Sequence, residues 1–460
     1  IGVISHFESL RFRGVTVVSF KSGFVDWIRS MENSVSDRVA SELKDNVSRG
    51  KWSVESDIEL LTEDRQLFDE VEMDKKVLCL NQNRLSLIEI KFWVAVEEAL
   101  HSDARRGALQ PVHDDVMDNI GRYSDFLSVC AGAYNSPTAG GASGTRGNTG
   151  SDGKNAHKYH YYTSANAMLV LMQQRDLVSD LLDDEQEFDT DLTFALHCAI
   201  KKQWNSSTHS MVVSQGHLQL GYGYKYQGCF DRVVVTPLTD KCMMALSIGF
   251  QNHAIPFICS PRGGGKSSMT RALCDALGSD MISVDCADSY GYTNASILEY
   301  LHASIRASVS CQLWLNITNV EALPHHIFCC LLTQLSVVRS SIVSGASHTN
   351  VGAAVVDLRS STALLNTHQM QHNQVVKPKA RFSLCYSIDS SGLYSADCYL
   401  PPIARKQFRP VFYVPPDYKV LMEVLLRSLN FVFPSVVSSR LQCVCEHLVK
   451  FVHIPNALVE

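Results

Sequence analysis

The sequence predicts a mainly helical first part, residues 1–215, followed by a three-layered α/β domain, residues 216–460. Three observations support this division. Apolar residues between Phe24 and Leu43 recur at spacings of three and four, as they do on one face of a helix. After Gly228, short apolar runs alternate with amphipathic stretches, a pattern typical of a sheet covered by helices. A glycine-rich turn, 260–268, then separates one such strand from one such helix.

The first part contains a series of helical patterns. Apolar spacing predicts helices over 24–48, over Ser164–Leu182 and over Leu192–Trp204, with a helical and mixed region over 57–100. Residues 135–160 open with NSPTAGGASGTRGNTGSDGKN, which is rich in Gly, Ser and Thr and has little apolar surface to bury. We expect a flexible insertion there.

The second part reads as an α/β layer. Strands are predicted at Arg232–Val235, Ala254–Cys259 and Arg381–Tyr386, and a helix at Asp417–Leu429. Residues 344–379 are rich in Ser, His, Asn and Gln, and we expect a disordered insertion there.

The run SPRGGGKSS, 260–268, is the most informative feature of the chain. It lies between the predicted strand 254–259 and an amphipathic helix, 269–277, which is the context of a phosphate-binding loop. Backbone N–H groups and a helix N-terminus cradle phosphate oxygens in such loops. Lys266 would reach the β- and γ-phosphates, and Ser267 would offer a hydroxyl to Mg²⁺. The candidate phosphate-binding residues are Gly263, Gly264, Gly265, Lys266, Ser267 and Ser268.

The match to the pattern G-x-x-x-x-G-K-[ST] is incomplete, because Ser260 stands at the first glycine. A glycine-rich surface turn that binds nothing is therefore the alternative interpretation.

Composition narrows the functional classes. The net charge of -6 and the isoelectric point near 6.3 give no electrostatic footprint for nucleic acid or an anionic membrane. An uninterrupted apolar run of about 18 residues is missing, which argues against a membrane span. The 15 cysteines are scattered without zinc spacing, so we expect reduced, mostly buried thiols in a cytosolic protein. The sequence starts at Ile1 without an initiator Met or a signal sequence, and we expect a piece of a longer polypeptide.

Several passages, in the same order along the chain, resemble the dynein heavy chain family. Their family counterparts are VEDWL, WT…VEEAL, FEYGYEYLG, ITPLTDRC, NCSD and LFRPV…MVPDY. The passages here are FVDWI (24–28), FW (92–93) with VEEAL (96–100), LGYGYKYQG (220–228), VTPLTDKC (235–242), DCAD (285–288), and FRPV (408–411) with VPPDY (414–418). Each match is weak alone, but TPLTD at its distance before the glycine-rich loop, with FRPV and PDY after it, is specific.

The resemblance implies that residues 1–215 are the later part of a dynein linker and that 216–460 are the first AAA+ module of a motor ring, truncated before its end. It implies ATP or ADP as the ligand, with Thr236, Pro237 and Leu238 packing on the adenine. Ordinary turn residues are the alternative at those three positions. The implied partners are the other AAA+ modules of the same heavy chain, together with microtubules and dynein accessory chains bound through regions outside this segment. The implied location is the cytoplasm and cytoskeleton, including a ciliary axoneme.

The chain departs from the family at the catalytic positions. The family strand that ends in CFDEFNR supplies an Asp for Mg²⁺ and a Glu that polarises the attacking water. Counting back from Val320 places Leu315 at the Asp position and Asn316 at the Glu position, and Tyr386 stands at the sensor Asn of FITMNP. Leucine cannot support the water shell of a metal, and asparagine cannot accept a proton from water.

We therefore expect ATP or ADP binding with Mg²⁺ weak or absent, and impaired hydrolysis. Two main alternatives stay open: a working microtubule motor whose acids lie elsewhere, and a non-motor dynein-like scaffold acting in complex assembly. An unrelated phosphate-loop NTPase is a weaker third, which the TPLTD and FRPV matches argue against.

Overall fold

The computed structural model describes residues 2–7, 10–18, 24–50, 52–56, 58, 81–102, 105–135, 150–183, 196–228, 232–287, 293–344, 348–352, 354–357, 381–387, 408–414 and 416–452. Twelve strands and ten helices are described within these ranges. In chain order they are β1 (Gly2–Phe7), β2 (Leu10–Val18), α1 (Phe24–Arg49), α2 (Asn81–His101), α3 (Arg105–Asn135), α4 (Gly150–Asp183), β3 (Lys201–Asn205), β4 (Ser210–Gln215), β5 (Leu218–Gly221), α5 (Pro237–Gln251), β6 (Ile255–Ser260), α6 (Lys266–Ala276), β7 (Met281–Asp285), α7 (Asn294–Cys311), β8 (Trp314–Thr318), α8 (His325–Val343), β9 (His348–Val351), β10 (Ala354–Asp357), β11 (Arg381–Ser387), β12 (Phe408–Phe412), α9 (Tyr418–Ser428) and α10 (Pro434–Val452).

The chain divides into two compact units. The first unit comprises residues 1–187, 228–234 and 416–460, and the second comprises 188–227 and 235–415. These bounds differ from the predicted boundary near residue 215. The second unit begins before that point, and the last two helices belong to the first unit.

The first unit is mainly helical. Helix α3 packs along α4, and α2 packs against both. Helix α2 buries an apolar series that includes Ile88, Trp93 and Val96, because its residues meet neighbours on more than one side. After α9, Asn430 adopts a left-handed backbone (φ 60°), which asparagine tolerates, and its amide donates to the Ser124 carbonyl at 3.0 Å. A helix-terminal turn is thus fastened to α3.

The second unit contains a five-stranded, all-parallel sheet with strand order β12-β6-β11-β8-β7. Helices α5 and α6 lie on one face, and α7 and α8 lie on the other. The α7–α8 side forms an apolar core, in which Phe257, Leu315 and Leu384 meet residues of both helices. The predicted α/β layer with helices on both faces is confirmed.

Helix α8 is long and apolar enough to cross a membrane, by length and composition alone. Its Ile327, Leu331 and Leu335 side chains, however, lie in the α/β core of the second unit.

Part of the predicted helical region 1–215 is β-structure. The helix predicted over Leu192–Trp204 is wrong, because the described residues 201–204 belong to a strand. Residues 192–195 lie outside the described residues, but Lys201–Asn205 is strand β3, paired antiparallel with β4, which in turn pairs with β5. Cross-strand partners such as Lys202 and Val213 decided this, and they are invisible to local periodicity. The strand predicted at Arg232–Val235 is also wrong, because these residues form no strand in the structure.

Both predicted insertions contain regular structure at their edges. Residues 136–149 lie outside the described residues, whereas 150–160 belong to α4. Residues 345–347, 353 and 358–380 also lie outside them, but β9 and β10 form an antiparallel hairpin within the second insertion. Gln334 of α8 fastens this hairpin by donating to the Asn350 carbonyl at 2.6 Å. Of the mixed region 57–100, residues 57 and 59–80 are outside the described part, and the rest contains α2.

Candidate nucleotide site

The glycine-rich loop connects the fully buried strand β6 to α6, as the sequence predicts. Helix α6 starts at Lys266, earlier than the predicted 269, so the lysine belongs to its first turn. Gly263 (φ 74°) and Gly265 (φ 87°) have left-handed backbones, which residues with a Cβ adopt only with strain. These two glycines let the chain turn from the end of β6 into the N-terminus of α6, where unpaired N–H groups can meet an anion.

Lys266 crosses the mouth of this loop. Its Nζ donates to the carbonyl oxygens of Ser260, at 3.1 Å, and Pro261, at 3.0 Å, and only 7% of the residue is exposed. Burial lowers the pKa of the Lys266 ammonium, and the Glu321 carboxylate is among the groups that act in the opposite direction. The ammonium is therefore held at the loop by two carbonyls, where it can meet phosphate oxygens. Ser267 and Ser268 follow it in the same turn, and both are exposed.

The carboxyl ends of four parallel strands meet beside this loop. Ser260, Asp285, Thr318 and Ser387 are the last residues of β6, β7, β8 and β11. Ser260 is the register partner of Ser387, and Asp285 is the register partner of Thr318. Ligands bind at this edge in open α/β sheets.

Leu315 and Asn316 do not lie at that edge, which corrects the positions assigned to them from the sequence. Leu315 is the second residue of β8 and is fully buried in the α7–α8 core. Asn316 is also fully buried, and its Oδ1 accepts hydrogen bonds from Ser383 at 2.8 Å and from Cys385 at 3.3 Å. Both residues belong to the interior of the sheet, because β8 continues for two more residues before it ends.

Thr318 and Asn319 occupy the end of β8 instead. The Thr318 hydroxyl donates to the Val284 carbonyl at 3.3 Å, and Asn319 Nδ2 donates to Asp285 Oδ1 at 2.8 Å. The sequence alone did not identify this pair, because the catalytic positions were assigned by counting residues back from Val320 and no residue in this stretch signals where the strand ends. Taking Trp314 as the first strand residue would have placed the strand end correctly, since the strands beside it are similarly short.

Tyr386 lies beside Phe257, with ring centroids 5.7 Å apart, and packs against the α7–α8 core. Successive residues of a strand point to opposite faces. Cys385 therefore faces the other side of the sheet, where it approaches Asn316, and the last strand residue, Ser387, reaches the ligand-binding edge. The Tyr386 ring thus belongs to the core packing and does not extend over the loop.

A second carboxylate borders the site. Glu321 lies in the 3₁₀ turn after β8, and its Oε2 accepts a hydrogen bond from the Ser387 backbone N–H at 3.0 Å. With the Asn319–Asp285 contact, this bond links the ends of β7, β8 and β11. Both carboxylates are engaged by protein donors. Among the residues that the structure describes, no group of three or more His, Cys, Asp or Glu side chains could hold a metal ion.

Thr236, Pro237 and Leu238 form the start of α5. Thr236 is its N-cap, in a capping box with Thr239, and Pro237 occupies the first turn. Leu238 is 38% exposed. The first two residues thus have a helix-starting role that propensity alone explains, while Leu238 presents apolar surface to solvent.

Asp240 follows in the same turn. Burial raises the pKa of this carboxyl group to about 7. It is a titrating group that sequence reasoning did not single out, since only tertiary burial distinguishes it from a solvated first-turn carboxylate.

The comparisons with known proteins match the region of the chain that contains this site. The family model described as the hydrolytic ATP binding site of dynein motor region matches residues 222–451, half of the chain. Human dynein axonemal heavy chain 2 is 26% identical over 231 residues, 50% of this chain and 4% of the relative. The cytoplasmic dynein heavy chain of Eremothecium gossypii is 25% identical over 239 residues, 52% of this chain and 5% of the relative. Human dynein axonemal heavy chain 14 is 34% identical over 108 residues, 23% of this chain and 3% of the relative.

The chain thus spans only a few per cent of the length of these relatives. The matched region contains the glycine-rich loop, the whole parallel sheet and the strand ends that border the loop. This chain belongs to the family of the ATP-binding site of the dynein motor region.

Proposed function

We propose that this chain binds ATP or ADP through the loop 260–268, as the first AAA+ module of a dynein-heavy-chain-like protein, and that its hydrolysis of ATP is impaired. The observation that carries the binding proposal is the position of Lys266. Its ammonium lies between two loop carbonyls at the N-terminus of α6. Positive charge, a helix N-terminus and left-handed glycines are thereby combined at one point, as phosphate binding requires.

The end of β8 supports the proposal of impaired hydrolysis. A phosphate-transfer site needs a carboxylate for the metal and a group that positions the attacking water. Thr318 and Asn319 supply neither a negative charge nor a proton acceptor of sufficient basicity. Asp285 and Glu321 bring carboxylates nearby, but Asn319 and Ser387 already bond to them. We therefore propose weak dependence on Mg²⁺, with the exposed Ser267 hydroxyl as its remaining protein ligand.

Membership of the family supports a wider assignment. We propose that residues 1–215 are the later part of a linker and that the other AAA+ modules of the same heavy chain complete the ring. Microtubules and accessory chains would bind through regions outside this segment. Relatives named axonemal and relatives named cytoplasmic both match, so a cytoskeletal location, ciliary or cytoplasmic, is proposed.

A non-motor scaffold is the second candidate, and the missing acids at Thr318 and Asn319 favour it. A protein that keeps the phosphate loop without hydrolysis can use bound nucleotide to stabilise an assembly. The two candidates differ in turnover: a motor module releases phosphate in the steady state, and a scaffold module does not.

The test is a titration of a fluorescent ATP analogue against the unmodified chain and Lys266→Ala, with and without Mg²⁺. Truncating a buried charged contact costs about 2 kcal/mol or more, so we expect affinity to fall by at least about 30-fold. Mg²⁺ should change the affinity of the unmodified chain by less than about threefold. Arg271→Ala is the matched control, because it removes one positive charge from an exposed position of the same helix.

Equal binding by the unmodified chain and Lys266→Ala would reject the loop as the phosphate site. Steady-state phosphate release by the unmodified chain would reject impaired hydrolysis and would leave the binding proposal intact.

A further inference from the structure

In the loop 260–268, the small residue and the larger residue of the phosphate-loop pattern have exchanged places. In G-x-x-x-x-G-K-[ST] the first position is glycine and the fifth is free to carry a side chain. Here the first position is Ser260 and the fifth is Gly264. The same two positions face each other across the base of the loop, and the structure shows what the exchange does.

A side chain at Gly264 would collide with Ser260. An ideal Cβ built on Gly264 would lie 2.2 Å from Ser260 Oγ, 3.1 Å from the Pro261 carbonyl oxygen and 3.4 Å from Ser260 Cβ. Ser260 is only 1% exposed, so close packing limits the room for its hydroxyl to rotate away. Among the described residues, this hydroxyl has no hydrogen-bond partner. Packing against Gly264, rather than a hydrogen bond, therefore sets its place inside the loop.

Backbone conformation does not explain the glycine at 264. Gly263 and Gly265 have positive φ values, 74° and 87°, so glycine is favoured there whatever surrounds it. Gly264 is not among the residues with positive φ. Its requirement for glycine is therefore steric, and Ser260 is the nearest cause.

We propose that Ser260 and Gly264 are a compensating positioning pair that shapes the loop for the terminal phosphates of a nucleoside triphosphate; this rests on the proposed function. The serine fills the base of the loop, and the glycine opposite makes room for it. The Ser260 carbonyl also accepts from Lys266 Nζ, so a shift of Ser260 displaces the ammonium that meets the phosphates. The larger residue at the first position of the motif, Ser260, is thus compensated by the smaller residue at the fifth, Gly264, and the loop keeps its shape.

The experiment is a double-mutant cycle with the unmodified chain, Ser260→Gly, Gly264→Ala and the double variant. Affinity for a fluorescent ATP analogue and the midpoint of thermal unfolding are measured for each. We expect Gly264→Ala alone to weaken binding by about tenfold or more, because the methyl group pushes Ser260 and its carbonyl. Ser260→Gly alone should weaken binding by about threefold to tenfold, because it leaves the base of the loop unfilled. Gly264→Ala should cost less than about threefold in that background, because the atom it collides with is gone.

Gly263→Ala is the matched control. No atom lies within 4 Å of a Cβ at this position, so its cost comes from the left-handed backbone alone. Ser260→Gly should not restore binding to Gly263→Ala. A purely structural role for the pair would lower the unfolding midpoint in proportion to the loss of affinity, whereas a positioning role lowers affinity with little change in the midpoint.

Equal losses from Gly264→Ala in the unmodified chain and in the Ser260→Gly background would overturn the pair, and so would unchanged binding by Gly264→Ala. If Gly264→Ala does not fold well enough to titrate, the double variant decides: recovered folding with binding within about threefold of Ser260→Gly supports the pair, and no recovery of folding, or recovered folding with weaker binding, overturns it. Lys266→Ala, measured alongside, separates the two proposals. If it binds as the unmodified chain does, the proposed phosphate site fails; if it binds weakly while the cycle is additive, only the pair fails.

Discussion

The loop after β6 and the end of β8 lie at the same edge of one sheet, yet they differ in what they offer a nucleotide. The loop provides left-handed glycines, a helix N-terminus and the Lys266 ammonium. The end of β8 provides Thr318 and Asn319, both neutral and both bonded to β7. A phosphate site needs the first set, whereas metal-assisted hydrolysis needs carboxylates at the second. Binding and hydrolysis are thus carried by separable parts of the pocket.

The two parts also differ in what holds their shape. The loop depends on backbone geometry that connects a core strand to a packed helix, so alterations there disturb the fold. The end of β8 is held by hydrogen bonds that the Thr318 hydroxyl and the Asn319 amide donate, which an ionised carboxylate cannot make. A carboxylate at either position would therefore cost these contacts.

The largest expected effect tests where β8 ends. Leu315→Asp should destabilise the second unit by about 4 kcal/mol or more, because it places a carboxylate in the α7–α8 core without a partner. Thr318→Asp, at the strand end, should cost about 1 kcal/mol, mainly from the lost hydroxyl contact. Chemical denaturation of both variants measures the difference. Comparable stability of the two variants would mean that Leu315 lies at the ligand-binding edge and not in the core.

A smaller effect sharpens the contrast in metal dependence. Thr318→Asp should make ATP-analogue affinity increase with Mg²⁺ by about tenfold, since it places a carboxylate at the end of β8, on the ligand-binding edge of the sheet. Thr318→Asn is the matched control, with nearly the same shape and no charge, and should show no such increase. Isothermal titration at fixed ionic strength measures it. A metal response already present in the unmodified chain would place the acid elsewhere, with Glu321 and Asp285 as the first positions to examine.

The smallest effect concerns Asp240, in the first turn of α5. This helix packs against β6, the strand that leads into the glycine-rich loop. Its folded-state pKa is raised to about 7, so its contribution to stability is present at low pH and is lost as pH rises from about 4 through 7. Asp240→Asn removes this loss and should be more stable than the unmodified chain by about 1 kcal/mol at pH 8. The difference should shrink toward pH 4, where both side chains are neutral. Thermal unfolding across this range measures it, and a pH-independent difference would mean that the carboxyl group is not buried.

Local patterns were sufficient where the chain interacts mainly with itself. The strand–glycine–helix order around Lys266 was predictable, because each step has a local signature: an apolar run, glycines, then an amphipathic helix. Helix α1 was predicted for the same reason. The capping box at Thr236 also has a local signature, since its two members lie three residues apart.

Prediction failed where distant partners decide. Lys201–Asn205 became a strand because β4 pairs with it. The hairpin β9–β10 forms against α7 and α8, which its own polar sequence does not disclose. Secondary structure at these sites depends on contacts that periodicity cannot register.

The sequence by itself determined the phosphate-loop motif and the family resemblance, since residue identity alone carries these facts. Only the tertiary structure decided which residues stand at the end of β8. The side chains of β8 alternate between two buried faces, and only the register with β7 and β11 shows that Leu315 and Asn316 are interior while Thr318 and Asn319 reach the edge. The fit of Ser260 against Gly264 was likewise hidden, because two positions four residues apart meet only when the loop closes.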